Sequence, residues 1–152
     1  TRYISVTGVQ TCALPIYFRI FLRELCDDLH NALGSGNRTL VCNADSTLLP
    51  TSVAIPVALI VNELVTNALK YAYSATEVGE VRVRCALHDG GLVLRVADDG
   101  RALPDNFSLS GNAGLGLRMV DMLLRQLHGA LTIERLERGK AFEARVPLPA
   151  DA

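Results

Sequence analysis

Glu63, Asn67, Lys70 and Tyr71 stand at i, i+4, i+7 and i+8 within the run from Ile60 to Tyr71. That spacing puts all four on one face if the run is helical. A carboxylate, a carboxamide and an ammonium on one ridge suit a magnesium–triphosphate ligand. The amide oxygen of Asn67 is the hard donor that Mg²⁺ favours, and that ion keeps several of its waters. Lys70 can stand as a point charge near phosphate oxygens. Glu63 can accept a proton or orient a water. Taken alone, the ridge is also the pattern of a solvated helix face with an ordinary Glu–Lys spacing.

Two further groups follow along the chain. Leu92, Leu94 and Val96 alternate into Asp98-Asp99-Gly100, which places a carboxylate at a strand end. A buried carboxylate there can accept a hydrogen bond from the exocyclic amine of adenine. A site built on such a bond rejects the wrong base by up to about four orders of magnitude. Gly100 would let the backbone approach a planar base closely, although Asp-Gly is equally a plain turn signal. Gly111 to Arg118 then leads into a helix through Gly114-Leu115-Gly116-Leu117. Glycines before a helix start free backbone N–H groups to meet phosphate, and the helix dipole favours the negative charge. The spacing fits neither a P-loop nor a dinucleotide-binding fingerprint after a strand.

The elements that must position these groups are legible from periodicity. Phe18, Phe21, Leu22, Leu25, Leu29 and Leu33 mark one face of a helix over 18–33. Gly34-Ser35-Gly36-Asn37 ends it, and Arg38 to Ala44 reads as a strand. Leu49-Pro50-Thr51-Ser52 is turn and cap material. A long helix follows to about Tyr73, with Pro56 expected in its first turn. Glu80–Leu87 and Leu92–Ala97 form a hairpin across His88-Asp89-Gly90-Gly91. The stretch from Asp98 to Asn112 is long enough to be a lid. A helix over 115–127 stops at His128-Gly129. Ala130–Leu136 and Ala141–Pro147 close the chain as a last hairpin across Glu137-Arg138-Gly139-Lys140. The expected fold is α+β: a two-layer α/β sandwich with a mixed, mostly antiparallel sheet covered by about three helices.

The chain has 152 residues, 49% hydrophobic and 20% charged, with a formal net charge of -1. It is therefore globular, with no electrostatic drive toward nucleic acid or acidic membranes. Its four cysteines form neither a zinc pattern nor a disulfide framework. Cys26, Cys42 and Cys85 read as buried thiols of a reduced, cytoplasmic protein. The apolar run Val53–Val61 is too short to span a bilayer. Val6 to Ile16 back-translates to a common sequencing-library adaptor. Residues 1–16 are accordingly expected to be a translated artefact, residues 17–149 the domain, and residues 150–152 a tail.

The order of these motifs resembles the GHKL ATPases, which include gyrase, the Hsp90 chaperones, MutL and histidine kinases. Glu63-x-x-x-Asn67 looks like their N box, Asp98-Asp99-Gly100 like their first glycine box and Gly114-Leu115-Gly116-Leu117 like the second. Gly139 to Phe142 occupies the place of the last. Within the group, the segments 17–26 and 59–72, with Leu127-His128-Gly129 and Val146-Pro147, are most similar to sensor histidine kinases of the HWE-like branch.

The resemblance implies a Bergerat-type fold that binds ATP with Mg²⁺. It implies Asn67 on the metal, Glu63 assisting the chemistry, Lys70 at phosphate and Asp98 at adenine. Tyr71, Gly100, Leu103, Gly114, Leu115, Gly116, Leu117 and Phe142 would shape the pocket. The γ-phosphoryl group would pass to a histidine on a dimerisation domain upstream, then to a response regulator, with no part for nucleic acid and no membrane contact by this domain. The domain alone is expected to be monomeric.

Two positions depart from the family pattern. Ala102 stands for a second glycine, which would cost on the order of 1 kcal/mol if the position needs positive φ. Lys140 stands for a threonine. None of His30, His88 and His128 has a phosphoacceptor context: His88 reads as a turn residue, His30 and His128 as helix-surface residues. Two other readings share much of this pattern, an anti-sigma-factor-type serine kinase and a non-catalytic nucleotide-binding module.

Overall fold

A computed structural model describes residues 2–6, 9–34 and 36–149, with side chains from Leu14 onward. The expected tail at 150–152 and Ser35 of the first loop lie outside the described residues. The elements in chain order are β1 (Arg2–Val6), β2 (Val9–Ala13), β3 (Pro15–Tyr17), α1 (Phe18–Leu33), β4 (Arg38–Ala44), β5 (Leu48–Pro50) and α2 (Thr51–Tyr71). Then follow β6 (Gly79–His88), β7 (Gly91–Asp98), α3 (Leu115–Gln126), β8 (Ala130–Arg135) and β9 (Lys140–Pro147). Among the described residues β1 and β2 pair with each other, and β3 pairs with β5.

The main sheet has the order β4-β6-β7-β9-β8. β4 and β6 run parallel, because α2 carries the chain back across the sheet between them. The other three pairings are antiparallel. Strand alternation sends Val81, Val83 and Cys85 of β6, Leu92, Leu94 and Val96 of β7, and Phe142, Ala144 and Val146 of β9 into the core under the helices. The opposite face is polar and carries exposed ion pairs such as Arg95–Glu134 at 2.9 Å. One apolar face covered by three helices is the expected two-layer sandwich.

The helix faces follow from sequence. Phe18, Leu22, Cys26 and Leu29 make the buried stripe of α1. α2 is apolar around most of its circumference because it packs on both α1 and α3 as well as on the sheet; ten of its residues are buried. By length and composition alone this helix could cross a membrane, but it is the core helix of the domain. Helix α2 begins at Thr51, so Pro56 sits inside it and not in its first turn as expected. The missing N–H then leaves the Ser52 carbonyl without its helical partner, a loss confined to one bond near the helix start. Cys26 and Cys85 are buried as read, whereas Cys42 on the edge strand β4 is only half-buried.

Among the described residues, two turns have left-handed backbone at non-glycine residues. Asp89 (φ 49) and Gly90 (φ 74) form the tight β6–β7 turn, whose twist matches the strands. His128 (φ 58) caps α3, so it lies past the helix end and not on the helix surface. Its N–H donates to the Arg125 carbonyl at 3.1 Å, and the Gly129 N–H donates to the Leu124 carbonyl at 2.7 Å. This is a Schellman cap, which favours glycine at the position His128 holds. His128→Gly should therefore stabilise the domain by about 0.5–1 kcal/mol. The melting temperature should rise by about 2 °C; a fall would mean that the imidazole makes contacts outweighing the strain.

Candidate functional site

A cavity of about 540 Å³ opens between α2, the ends of β7 and β9, and the loop leading to α3. Its floor is apolar: Leu64 and Ala68 come from α2, Val96 and Phe142 from the sheet. The β7–β9 register sets the polar end. Val96 lies opposite Phe142 and Asp98 opposite Lys140, so all four point to the helix-covered face. Asn67 and Tyr71 approach from α2 one turn apart, and Gly114, Leu115, Gly116 and Leu117 close the other side at the start of α3. Leu103 belongs to the loop wall.

Asp98 is one of two buried polar residues among those described. Its Oδ2 lies 3.1 Å from the Lys140 ammonium, with side-chain exposures of 3% and 12% respectively. Its Oδ1 accepts the Gly100 N–H at 3.0 Å. Burial pushes the Asp98 carboxyl above its ordinary value, and Lys140 and the Gly100 N–H pull it back only in part. Lys140 also donates to the Arg101 carbonyl at 2.8 Å.

The turn that carries Asp98 is gripped from behind by the end of α2. The Arg101 N–H donates to the Ala72 carbonyl at 2.7 Å. The Tyr73 hydroxyl donates to Asp99 Oδ1 at 2.7 Å and accepts the Asp99 N–H at 3.2 Å. Burial works against the Asp99 charge, but the Glu80 N–H and the Tyr73 hydroxyl outweigh it and hold that carboxyl below its ordinary value. Arg38 lies over the Tyr73 ring at 5.5 Å and is itself buried. The missing Cβ of Gly100 serves this grip: a Cβ there would meet the Ala72 carbonyl oxygen at 2.2 Å, and Gly100 is not among the residues lining the cavity.

The other expected residues separate into two groups. Glu63 is half-buried, and its Oε2 lies where a Cβ on Gly116 would sit 2.5 Å away. It therefore abuts the start of α3 at the rim of the cavity. Lys70 is exposed and outside the lining, so the ridge of four is brought to the cavity only at Asn67 and Tyr71, with Glu63 beside them. Ala102 lines the cavity with ordinary negative φ, since Asp89 and His128 are the described non-glycine residues with positive φ. The expected strain at Ala102 is absent for that reason.

The lid is tied down. Arg135 of β8 donates to the Leu103 and Pro104 carbonyls at 2.7 and 2.8 Å. Asn112 knots its outer part, accepting the Ser108 N–H at 2.8 Å and donating to the Asn106 carbonyl at 3.2 Å. Arg135, Arg101 and the pairing role of Lys140 were missed in sequence. The alternation Lys140, Phe142, Ala144 opposite Asp98, Val96, Leu94 was the available signal for Lys140, but it needs the β7–β9 pairing, which joins strands distant in the chain.

The donor set fits a magnesium ion held largely by a ligand's phosphates. The half-buried carboxamide Asn67 and the carboxylate Glu63 are one turn apart, and no cluster of three metal-ligating side chains occurs among the described residues. Such a set suits an ion that keeps its waters and takes few protein ligands.

Residues 52–150 match the family described as histidine kinase-, DNA gyrase B-, and HSP90-like ATPase. The chain is 30% identical over 129 residues to blue-light-activated histidine kinase 2 of Erythrobacter litoralis, covering 84% of this chain and 37% of that protein. It is 33% identical over 123 residues to the sensor histidine kinase PdtaS of Mycobacterium tuberculosis, covering 78% of this chain and 25% of that protein. The chain thus spans well under half the length of both relatives. In structure it is similar to the histidine kinase domain of a blue-light activated histidine kinase from Erythrobacter litoralis. That likeness has a TM-score of 0.83 at 28% identity, over 91% of this chain and 65% of that one. The catalytic domain of histidine kinase ThkA shares the fold, with a TM-score of 0.74 at 17% identity over 90% of this chain and 96% of that one.

Proposed function

Because the chain belongs to the histidine kinase-, DNA gyrase B-, and HSP90-like ATPase family, we propose that it is the ATP-binding catalytic domain of a sensor histidine kinase. It would bind ATP with Mg²⁺ and donate the γ-phosphoryl group to a histidine on a separate dimerisation domain, from which a response regulator takes it. The observation that carries this reading is the cavity itself. A buried carboxylate lies at one end of its apolar floor, and a carboxamide and a helix start lie around its other side.

In this reading the base enters over Val96 and Phe142, and Asp98 accepts its amine. The first-turn N–H groups of α3 after Gly114 meet the phosphates, where the helix dipole favours negative charge. Asn67 would hold Mg²⁺, which supplies charge neutralisation at the phosphates. Glu63 stands at the rim to orient the attacking imidazole or take its proton. The domain's contribution is then mainly positioning and charge stabilisation. Tyr71, exposed beside Asn67, forms the wall of the open side. We assign the domain to residues 17–149 and read residues 1–16 as foreign to it. The cytoplasm is where ATP is available to such a domain.

The test is phosphotransfer in a fusion to the part of the Erythrobacter litoralis histidine kinase domain that this chain does not cover. We expect an acid-labile phosphoryl label on that part from γ-labelled ATP, reduced by about 100-fold or more in Asn67→Ala. An acid-stable label on serine would point to a serine kinase. No label on any residue, with ATP bound, would mean a nucleotide-binding module.

A further inference from the structure

Four consecutive residues, Arg101 to Pro104, line one wall of the cavity, yet they belong to no helix or strand. What holds them comes from the last hairpin. Lys140 opens β9, and its ammonium is fully used: it reaches both Asp98 carboxylate oxygens and the Arg101 carbonyl. Arg135 ends β8 and stands opposite Lys140 in the register. Its Nη1 donates to the Leu103 carbonyl at 2.7 Å and its Nη2 to the Pro104 carbonyl at 2.8 Å. The Leu136 N–H donates to the Gly139 carbonyl at 3.1 Å and closes the turn between the two cations. One closed turn thus carries two cations that grip three carbonyls of one wall.

We propose that Arg135 is a positioning residue for the nucleotide: it holds Leu103 and Pro104 in place before the ligand arrives, so that the base end of the cavity is already formed. The inference rests on the reading of this cavity as an ATP site and adds to it a residue that does not line the cavity.

Three arguments support it. The first is geometric. A guanidinium is a planar fork of fixed donors, so one side chain can fix two successive carbonyls with little loss of freedom per bond. Among the described residues the Leu103 carbonyl has no other hydrogen-bond partner. The second is energetic. A wall residue left to be ordered by the ligand costs about tenfold in affinity, and holding it beforehand removes that cost. The third is where the grip ends. Beyond Pro104 the hydrogen bonds of Asn112 run within the loop, to Ser108 and Asn106. Arg135 therefore secures the stretch that follows Asp98 and flanks the base. The phosphates are met elsewhere, at the start of α3 and Asn67.

Calorimetric titration of the chain with ATP, and displacement of ATP by adenosine and by inorganic triphosphate, tests this in the wild type and in Arg135→Ala. Melting curves establish that each is folded. Arg135 is exposed, so the variant should melt within about 2 °C of the wild type. We expect it to weaken ATP about tenfold and adenosine by the same factor, with triphosphate held within about twofold. Should Arg135→Ala fail to fold, Arg135→Gln, which lacks the fork, is read in the same way. ATP affinity in the variant within about twofold of the wild type would overturn the proposal and leave the ATP-site reading standing. So would equal losses of ATP, adenosine and triphosphate, the mark of a residue that only supports the fold. A wild type that binds no ATP overturns both.

Discussion

Gly139→Ala should cost the domain about 3 kcal/mol or more and abolish nucleotide binding. Gly139 has φ +83, where any side chain is strained, and a Cβ would fall 1.9 Å from the Asp98 carbonyl oxygen and 2.8 Å from the Asp99 Cα. The strain alone costs about 1–2 kcal/mol. The overlap cannot be relieved cheaply, because the backbone it meets is fixed on both sides. Asp98 pairs across the sheet with Lys140, and Asp99 is clasped by Tyr73 and the Glu80 N–H. The melting temperature should fall by about 10 °C. A variant that melts within about 2 °C of the wild type would show that the turn can move without disturbing Asp98, and the account of the carboxylate's placement would then be wrong.

Asp98→Asn should weaken ATP binding by about 30–100-fold, the size of a hydrogen bond to a charged acceptor. The effect on the fold should be smaller than the roughly 3–5 kcal/mol of a fully buried broken pair. Lys140 keeps the Arg101 carbonyl, and the cavity admits water to it. The pH dependence has a definite sign. Burial raises the folded pKa of Asp98 above its ordinary value. Its contribution to stability is therefore complete at acid pH and is lost as pH rises through the raised pKa. Over that same window the carboxylate ionises and ATP affinity should grow. Asp98→Asn should flatten this contribution in both curves, since the amide does not titrate. A wild type and variant with the same ATP affinity and the same pH profiles would remove Asp98 from the site.

Much of this was legible in the residues. Phe18, Leu22 and Leu29 gave α1 its limits, and the Asp89-Gly90 turn fixed the β6–β7 hairpin, because both are local patterns of burial and backbone preference. Asn67, Asp98 and Gly114-Leu115-Gly116-Leu117 were singled out for the chemistry they carry, and the fold brings them to one cavity. The rest is non-local. Helix periodicity alone set Lys70 on the ridge, whereas its side chain is exposed and outside the cavity lining. That the missing Cβ of Gly100 makes room for the carbonyl of Ala72 could not be read, because only the tertiary fold brings the two together. Whether Ala102 needed positive φ could not be read from sequence; its backbone does not have it. Lys140 was noted only for the threonine it replaces; its partner becomes visible once β9 is laid beside β7.

The most direct test is calorimetry of the wild-type domain with ATP, in Mg²⁺ and in excess chelator. We expect a saturable one-to-one isotherm in Mg²⁺ that weakens when the ion is removed. An isotherm that shows no saturable heat up to millimolar ATP, from protein that melts cooperatively, would contradict the assignment of this cavity as an ATP site.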